Sequence, residues 1–209
     1  MSAIIATLER ENHEYTVAGG RRVSLSVSEV LSLAGIVQPY PEIPQVMNFV
    51  EHARELGETV HQWCDHLDLG GDRETAFDVL RDSEPLPYFV AYTRFCAEHE
   101  PVWENVEQSF ASLELDVAGT PDRIGTIKRG KNTIPVILDM KTAQQKAAYW
   151  PIQLSAYQYL SGRADCALYV LHLCGDGSYK LRPYEPDIET FLASVRIAQW
   201  RLKNGAKMR

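Results

Sequence analysis

The sequence has no apolar run that approaches the ~18 residues needed for a membrane-spanning helix. Its first residues carry no basic segment ahead of an apolar one and meet charged side chains directly after Leu8, which is not the pattern of a secretory signal. We therefore expect a cytoplasmic protein with no membrane partner. Internal repeats and low-complexity segments are also missing. A single domain over residues 1–209 is the resulting prediction.

Cysteine is scarce, and acidic side chains outnumber basic ones. The four cysteines (Cys64, Cys96, Cys166 and Cys174) include no Cys-x-x-Cys pair, so their spacing does not match a zinc or iron–sulfur site. Reduced and mostly buried thiols are expected instead. The formal net charge of −7 argues weakly against a protein that coats nucleic acid indiscriminately, and it leaves a local basic groove open.

The apolar patterns that are present predict helices first and strands afterwards. Helical spacing or capping signals occur over residues 26–35, 45–69, 87–99, 150–160 and 186–203. Short alternating or apolar strand patterns occur over residues 102–111, 113–118, 120–128, 133–140, 167–174 and 178–183. The predicted fold class is α/β, with a mainly helical part over about residues 1–100 and a central mixed β-sheet flanked by helices over about residues 101–209.

Three charged residues stand at the ends of two neighbouring predicted strands. The apolar run 136–138 leads directly into Asp139, with Lys141 two residues later, and Asp122 belongs to the preceding strand. Charge at a strand end near a core is costly without a partner or a metal. Two carboxylates suit Mg²⁺ or Mn²⁺, and Lys141 points to the side of Asp139 because strand side chains alternate. From these residues alone, an Asp139–Lys141 ion pair is the alternative.

Four motifs follow one another between residues 57 and 157. They are GETVH at 57–61, GTPDR at 119–123, ILDMKT at 137–142 and QLSAY at 153–157. In this order and spacing they resemble the RecB-like, Cas4-like branch of the PD-(D/E)xK nuclease superfamily, which includes phage and mitochondrial single-strand exonucleases. The resemblance implies a restriction-endonuclease-like core within the α/β class.

The resemblance also implies a catalytic metal site for Mg²⁺ or Mn²⁺. Its ligands would be His61, Asp122, Asp139 and the backbone carbonyl of Met140. Lys141 would serve the attacking water and the scissile phosphate. The imidazole of His61 favours Mn²⁺, because nitrogen ligands suit a transition metal better than Mg²⁺.

Other residues are assigned less directly. Gln153 and Tyr157 share a helix face because they are four residues apart. The resemblance implies that they support the lysine and contact the substrate. Without the resemblance, they would be read as the polar margin of a core helix. Glu107 lies where related nucleases often carry a Glu and would assist catalysis or a second metal, although strand alternation does not decide which face it takes. Arg123 would balance Asp122 or contact phosphate.

The function implied is that of a metal-dependent deoxyribonuclease, with an exonuclease acting on DNA ends or single strands in recombination, repair or phage DNA processing as the preferred form. A structure-specific endonuclease and a non-catalytic DNA-binding subunit of a recombination complex are the alternatives. Because no Walker A motif is present, unwinding would come from a partner helicase, or a single-strand annealing or binding protein would supply the substrate. Oligomer formation stays open. The cysteines lack the late trio that holds the iron–sulfur cluster of Cas4-like nucleases, so no such cluster is expected.

Overall fold

The structure, a computed structural model, describes residues 3–9, 11–143 and 145–205. These residues form a mixed α/β fold with six helices and two mixed sheets, which confirms the predicted class. The helices are α1 (Val27–Leu33), α2 (Pro44–Asp68), α3 (Arg73–Leu80), α4 (Leu86–His99), α5 (Trp150–Ser161) and α6 (Ile188–Lys203). The strands are β1 (Ile4–Glu9), β2 (Glu14–Val17), β3 (Arg21–Val23), β4 (Leu25–Ser26), β5 (Val102–Val106), β6 (Phe110–Ser112), β7 (Val117–Gly119), β8 (Arg123–Arg129), β9 (Asn132–Lys141), β10 (Ala167–Leu173) and β11 (Tyr179–Tyr184). None of the described helices combines the length and apolarity needed to span a bilayer.

A five-stranded sheet in the order β11-β10-β9-β8-β5 lies between two layers of helices. The parallel pair β9 and β10 is connected through α5, and the other pairs are antiparallel. Along β9, Val136 and Leu138 pack with residues of α2 and α4, whereas Ile137 packs with residues of α5 and α6. Because side chains alternate, Asp139 and Lys141 share the α5 side of β9 with Ile137.

The amino-terminal region contains strands that the sequence patterns did not predict. Besides helices α1 to α4, it contains β1, β2 and β3, which join β4, β6 and β7 in a six-stranded sheet. These strands are three to six residues long. β1 pairs with distant β6, where Ile5 is opposite Phe110, whereas β2 and β3 pair within the amino-terminal region. Strands this short leave little local periodicity, which is why the pattern did not reveal them.

The predicted single strand over residues 102–111 is wrong. It is divided into β5 and β6, which belong to different sheets. Glu107 lies in the break and has a φ of 51°, in the left-handed region that interrupts an extended strand. The helix pattern over residues 45–69 is confirmed by α2, and Ser26 caps α1 through a reciprocal capping box with Glu29.

Candidate metal centre

Strand pairing brings the two acidic motifs together. In the antiparallel pair of β8 and β9, Arg123 is opposite Leu138. Asp122 directly precedes β8 and Asp139 lies near the end of β9, so the two carboxylates belong to the same end of neighbouring strands. Both side chains are buried, with residue exposures of 8% and 2%. Such a pair of buried acids needs cationic partners.

Two further elements deliver side chains to Asp122. The pairing of β5 with β8 sets Val106 opposite Arg123, and the backbone N–H of Glu107 then donates to the carbonyl oxygen of Asp122 over 3.0 Å. From α2, Nδ1 of His61 lies 3.7 Å from Oδ1 of Asp122 and 3.8 Å from Oε1 of Glu107. The break after β5 and one turn of α2 therefore converge on the same carboxylate.

These three side chains form a candidate ligand set. One ligand atom each from His61, Glu107 and Asp122 lies within 4.8 Å of the others. Two ligands of one ion can be separated by up to about 4.2 Å, twice a bond length of about 2.1 Å, and both distances from His61 fall inside that limit. One nitrogen and carboxylate oxygens suit Mn²⁺ and are compatible with Mg²⁺. The donor set therefore fits a divalent cation with modest adjustment.

The second oxygen of Asp122 is held by the backbone of β9. Oδ2 accepts a hydrogen bond from the N–H of Met140 over 2.5 Å. The peptide of Met140 therefore lies beside the ligand set, and its role as a carbonyl ligand stays a prediction. Because Oδ2 is engaged, Oδ1 is the oxygen that faces His61.

Asp139 and Lys141 form the ion pair that the sequence offered as an alternative. Nζ of Lys141 lies 2.6 Å from Oδ2 of Asp139. Burial raises the pKa of Asp139 to about 6 against the opposing effect of Lys141. Asp139 is not a member of the three-ligand group among the described residues, so its role as a ligand also stays a prediction. The pair lies beside Asp122, whose carboxylate contributes to the raised pKa values of both Asp139 and Lys141.

The carboxylates control the charge of His61. Burial alone would lower the pKa of this imidazole, but the carboxylate of Asp122, helped by Glu107, raises the pKa to about 9. Burial raises the pKa of Asp122, which is opposed by His61. In the absence of a cation, a proton on His61 therefore offsets part of the negative charge of the cluster.

Helix α5 covers the buried side of the acidic pair. Nε2 of Gln153 donates to the hydroxyl of Tyr157 over 2.9 Å, which confirms that the two residues share a face. Burial raises the pKa of Tyr157, and the nearby carboxylates of Asp139 and Asp122 raise it further. Gly119 permits this approach, since a Cβ there would lie 3.0 Å from Cε1 of Tyr157. Their roles in supporting the lysine and contacting substrate stay predictions.

The expectation that Arg123 contacts phosphate is wrong, whereas its charge does interact with that of Asp122, which, against the effect of burial, helps to raise the pKa of Arg123. Its guanidinium is fully buried and therefore cannot contact a phosphate at the surface. It donates to the backbone carbonyl of Asp122 over 2.7 Å rather than to the carboxylate, and it pairs with Asp65 and Asp68 of α2. Sequence reasoning missed both aspartates, although their spacing of four and seven residues from His61 sets them on one face of α2.

A groove is lined by two of the three candidate ligands. It has a volume of about 540 Å³, and its lining includes His61 and Glu107 together with Arg54 of α2 and His13 of the β1–β2 turn. The amino-terminal hairpin, which the sequence did not predict, therefore forms one wall of this groove.

Comparisons with known proteins identify no family for this chain. No protein-family model matches the chain. The search of curated proteins also returned no match. Among solved structures, the crystal structure of SSO0001 is similar over 88% of this chain and 78% of that chain, with a TM-score of 0.39 and 14% identity. A likeness at this level supports no functional inference.

Proposed function

We propose that the protein is a metal-dependent DNA nuclease with a PD-(D/E)xK core, acting as an exonuclease on DNA ends or single strands. One observation carries the proposal: His61, Glu107 and Asp122 converge at the strand ends where Asp139 pairs with Lys141. A cation site beside a partly buried lysine is a combination that suits phosphodiester hydrolysis. The order of the four motifs supports DNA as the substrate.

The side chains divide into metal ligands and groups that act on the substrate. Mg²⁺ or Mn²⁺ would be held by His61, Glu107 and Asp122, with Asp139 and Met140 as the further ligands that the motifs imply. When bound, such an ion neutralises charge on a phosphate and lowers the pKa of water.

Lys141 is the cationic group of this chain that would face the reacting phosphate. Its ammonium is held 2.6 Å from Oδ2 of Asp139, which fixes its position and keeps its pKa raised despite burial. A charged ammonium of this kind orients a water molecule through its hydrogen bonds and stabilises negative charge that develops on the phosphate oxygens. Gln153 and Tyr157, joined by their hydrogen bond, would support this arrangement from α5.

The direct test measures release of nucleotides from end-labelled single-stranded and double-stranded linear DNA with Mg²⁺ or Mn²⁺. We expect Asp139→Ala and Lys141→Ala to reduce the rate by about a hundredfold or more. Lys128→Ala is the matched control, because Lys128 is an exposed lysine near the other end of β8, paired with Glu100. Cleavage by the two site variants at the wild-type rate would contradict the proposal.

A closed circular single-stranded DNA separates the two nuclease forms. An exonuclease leaves this substrate intact, whereas an endonuclease for flaps or branches would cut it. Tight DNA binding without cleavage under any metal condition would instead favour a non-catalytic subunit of a recombination complex. In the exonuclease form, a helicase or a single-strand annealing or binding protein would supply the strand.

A further inference from the structure

Arg123 makes a buried set of contacts that lies behind the candidate site. Its Nε is 2.5 Å from Oδ2 of Asp68, its Nη2 is 2.7 Å from Oδ1 of Asp65, and its Nη1 donates to the carbonyl oxygen of Asp122 over 2.7 Å. The side chain of Arg123 is fully buried, whereas those of Asp65 and Asp68 are 18% and 5% exposed. We call these four groups the Arg123 clamp.

The clamp connects the two elements that carry metal ligands. On α2, Asp65 and Asp68 follow His61 by four and seven residues, so all three share one face of the helix. On the other side, Arg123 is the first residue of β8 and follows Asp122 directly. The same face of α2 therefore contacts Asp122 through His61 and contacts Arg123 through Asp65 and Asp68.

The clamp also fixes the backbone of Asp122. The carbonyl oxygen of this residue accepts one hydrogen bond from Arg123 and a second from the N–H of Glu107. The same guanidinium thus restrains the position of Asp122 and the position of α2. The guanidinium suits this task because it is planar and rigid, and its N–H donors point in fixed directions.

Stability alone is a poor reason for such an arrangement. Burying an arginine and two carboxylates costs desolvation energy, and apolar residues of similar volume often stabilise a protein as well or better. What buried ion pairs supply in favourable cases is one defined geometry. Here the geometry at stake is the distance from Nδ1 of His61 to Oδ1 of Asp122, which is 3.7 Å.

We infer that Arg123 is a positioning residue, which uses Asp65 and Asp68 to hold α2 so that His61 and Asp122 form one cation site. This inference rests on the proposed function, because it assigns a role within the same site. Arg123 itself contacts neither cation nor DNA. It acts by fixing the position of α2 relative to β8.

The test measures Mn²⁺ binding by isothermal titration calorimetry, well below the unfolding temperature of every variant. Arg123→Met removes the clamp but leaves Asp65 and Asp68 without a cationic partner, with the hydroxyl of Tyr92 still donating to Asp68, and risks unfolding. Asp65→Asn is the milder variant, since it keeps the size of the side chain and leaves Arg123 its contacts with Asp68 and Asp122. Glu58→Gln is the matched control: Glu58 also lies on α2 and lines the same groove, but it pairs with exposed Arg54.

We expect Asp65→Asn to weaken Mn²⁺ binding by about tenfold, the lower end of the usual effect of residues that orient metal ligands, and Glu58→Gln to leave it nearly unchanged. The decisive comparison repeats Asp65→Asn in a His61→Ala background. If the clamp acts through His61, Asp65→Asn does not weaken Mn²⁺ binding further in the His61→Ala protein. If Asp65 acts only through its charge, Asp65→Asn weakens Mn²⁺ binding in that protein as well.

The possible results separate the inference from the proposed function. Wild-type protein that binds no Mn²⁺ contradicts the proposed function, and the positioning role falls with it. Wild-type protein that binds Mn²⁺, with Asp65→Asn equally tight, overturns the positioning role alone. An equal loss in the presence and absence of His61 overturns it as well.

Discussion

The backbone N–H of Met140 donates to Oδ2 of Asp122 over 2.5 Å, so the end of β9 orients the carboxylate that precedes β8. The other oxygen, Oδ1, is thereby directed to His61, 3.7 Å away. A ligand whose rotamer is fixed by a backbone hydrogen bond loses little conformational freedom when it binds a cation. This hydrogen bond joins the motif at 119–123 directly to the motif at 137–142.

Metal binding should release a proton and tighten with rising pH. Without a cation, the pKa of His61 is raised to about 9, so the imidazole is protonated at neutral pH. A ligand imidazole must be neutral, and a cation that binds His61 displaces this proton. Between pH 7 and 9 the affinity for Mn²⁺ should therefore rise, by about tenfold per pH unit for one proton, and level off at higher pH.

Calorimetry in two buffers of equal pH and different ionisation enthalpy measures the number of protons released. The control is His61→Ala, for which the pH dependence between 7 and 9 should be largely lost. Binding heats of the wild type that are the same in both buffers would show that His61 gives up no proton.

Glu107 should matter more for cation affinity than Asp139. Glu107 belongs to the compact ligand group, while Asp139 is held by Lys141 at 2.6 Å. We therefore expect Glu107→Gln to weaken Mn²⁺ binding by about tenfold or more, and Asp139→Asn to weaken it less while still abolishing cleavage. The opposite order of affinities would favour the ligand set that the motifs alone implied.

The elements that carry the motifs were predictable because their patterns are long and local. The apolar stripe of α2, the spacing of α5 and the apolar run of β9 each specify one element without reference to the rest of the chain. The antiparallel pairing of β8 with β9 then brings Asp122 and Asp139 together, as the motif order implied.

Residues whose position depends on distant contacts were not predictable in this way. Strand alternation fails for Glu107 because its backbone leaves the extended region, at a φ of 51°. Contact with phosphate was one of the two roles expected for Arg123, and the full burial of its side chain excludes that role. Only the arrival of Asp65 and Asp68 from α2 makes that burial possible, and the sequence alone does not reveal this contact.

Two glycines of the motifs should respond to alanine in opposite directions. A Cβ at Gly119 would lie 2.7 Å from Cγ2 of Val27 and 3.0 Å from Cε1 of Tyr157, both buried, so Gly119→Ala should destabilise the fold by about 1–3 kcal/mol. At Gly57, within α2, the nearest atom is Oγ1 of Thr142 at 3.4 Å, and Gly57→Ala should stabilise by about 0.5–1 kcal/mol. Urea denaturation monitored by circular dichroism measures both changes, and a loss of stability for Gly57→Ala would mean that α2 and Thr142 cannot separate slightly.

Removing one partner of the hydrogen bond between Gln153 and Tyr157 should destabilise the fold more than expected from its share of the loss in the variant that removes both partners. Nε2 of Gln153 donates to the hydroxyl of Tyr157 over 2.9 Å, and both residues are buried. Tyr157→Phe leaves the amide without its acceptor and should lower the free energy of unfolding by about 1–3 kcal/mol. Adding Gln153→Met removes the donor as well, so the double variant should be less destabilised than the sum of the two single variants, by about 0.5 kcal/mol or more. Denaturation of all four proteins completes the cycle, and additive losses would mean that the bond contributes nothing specific to the packing of α5 against the site.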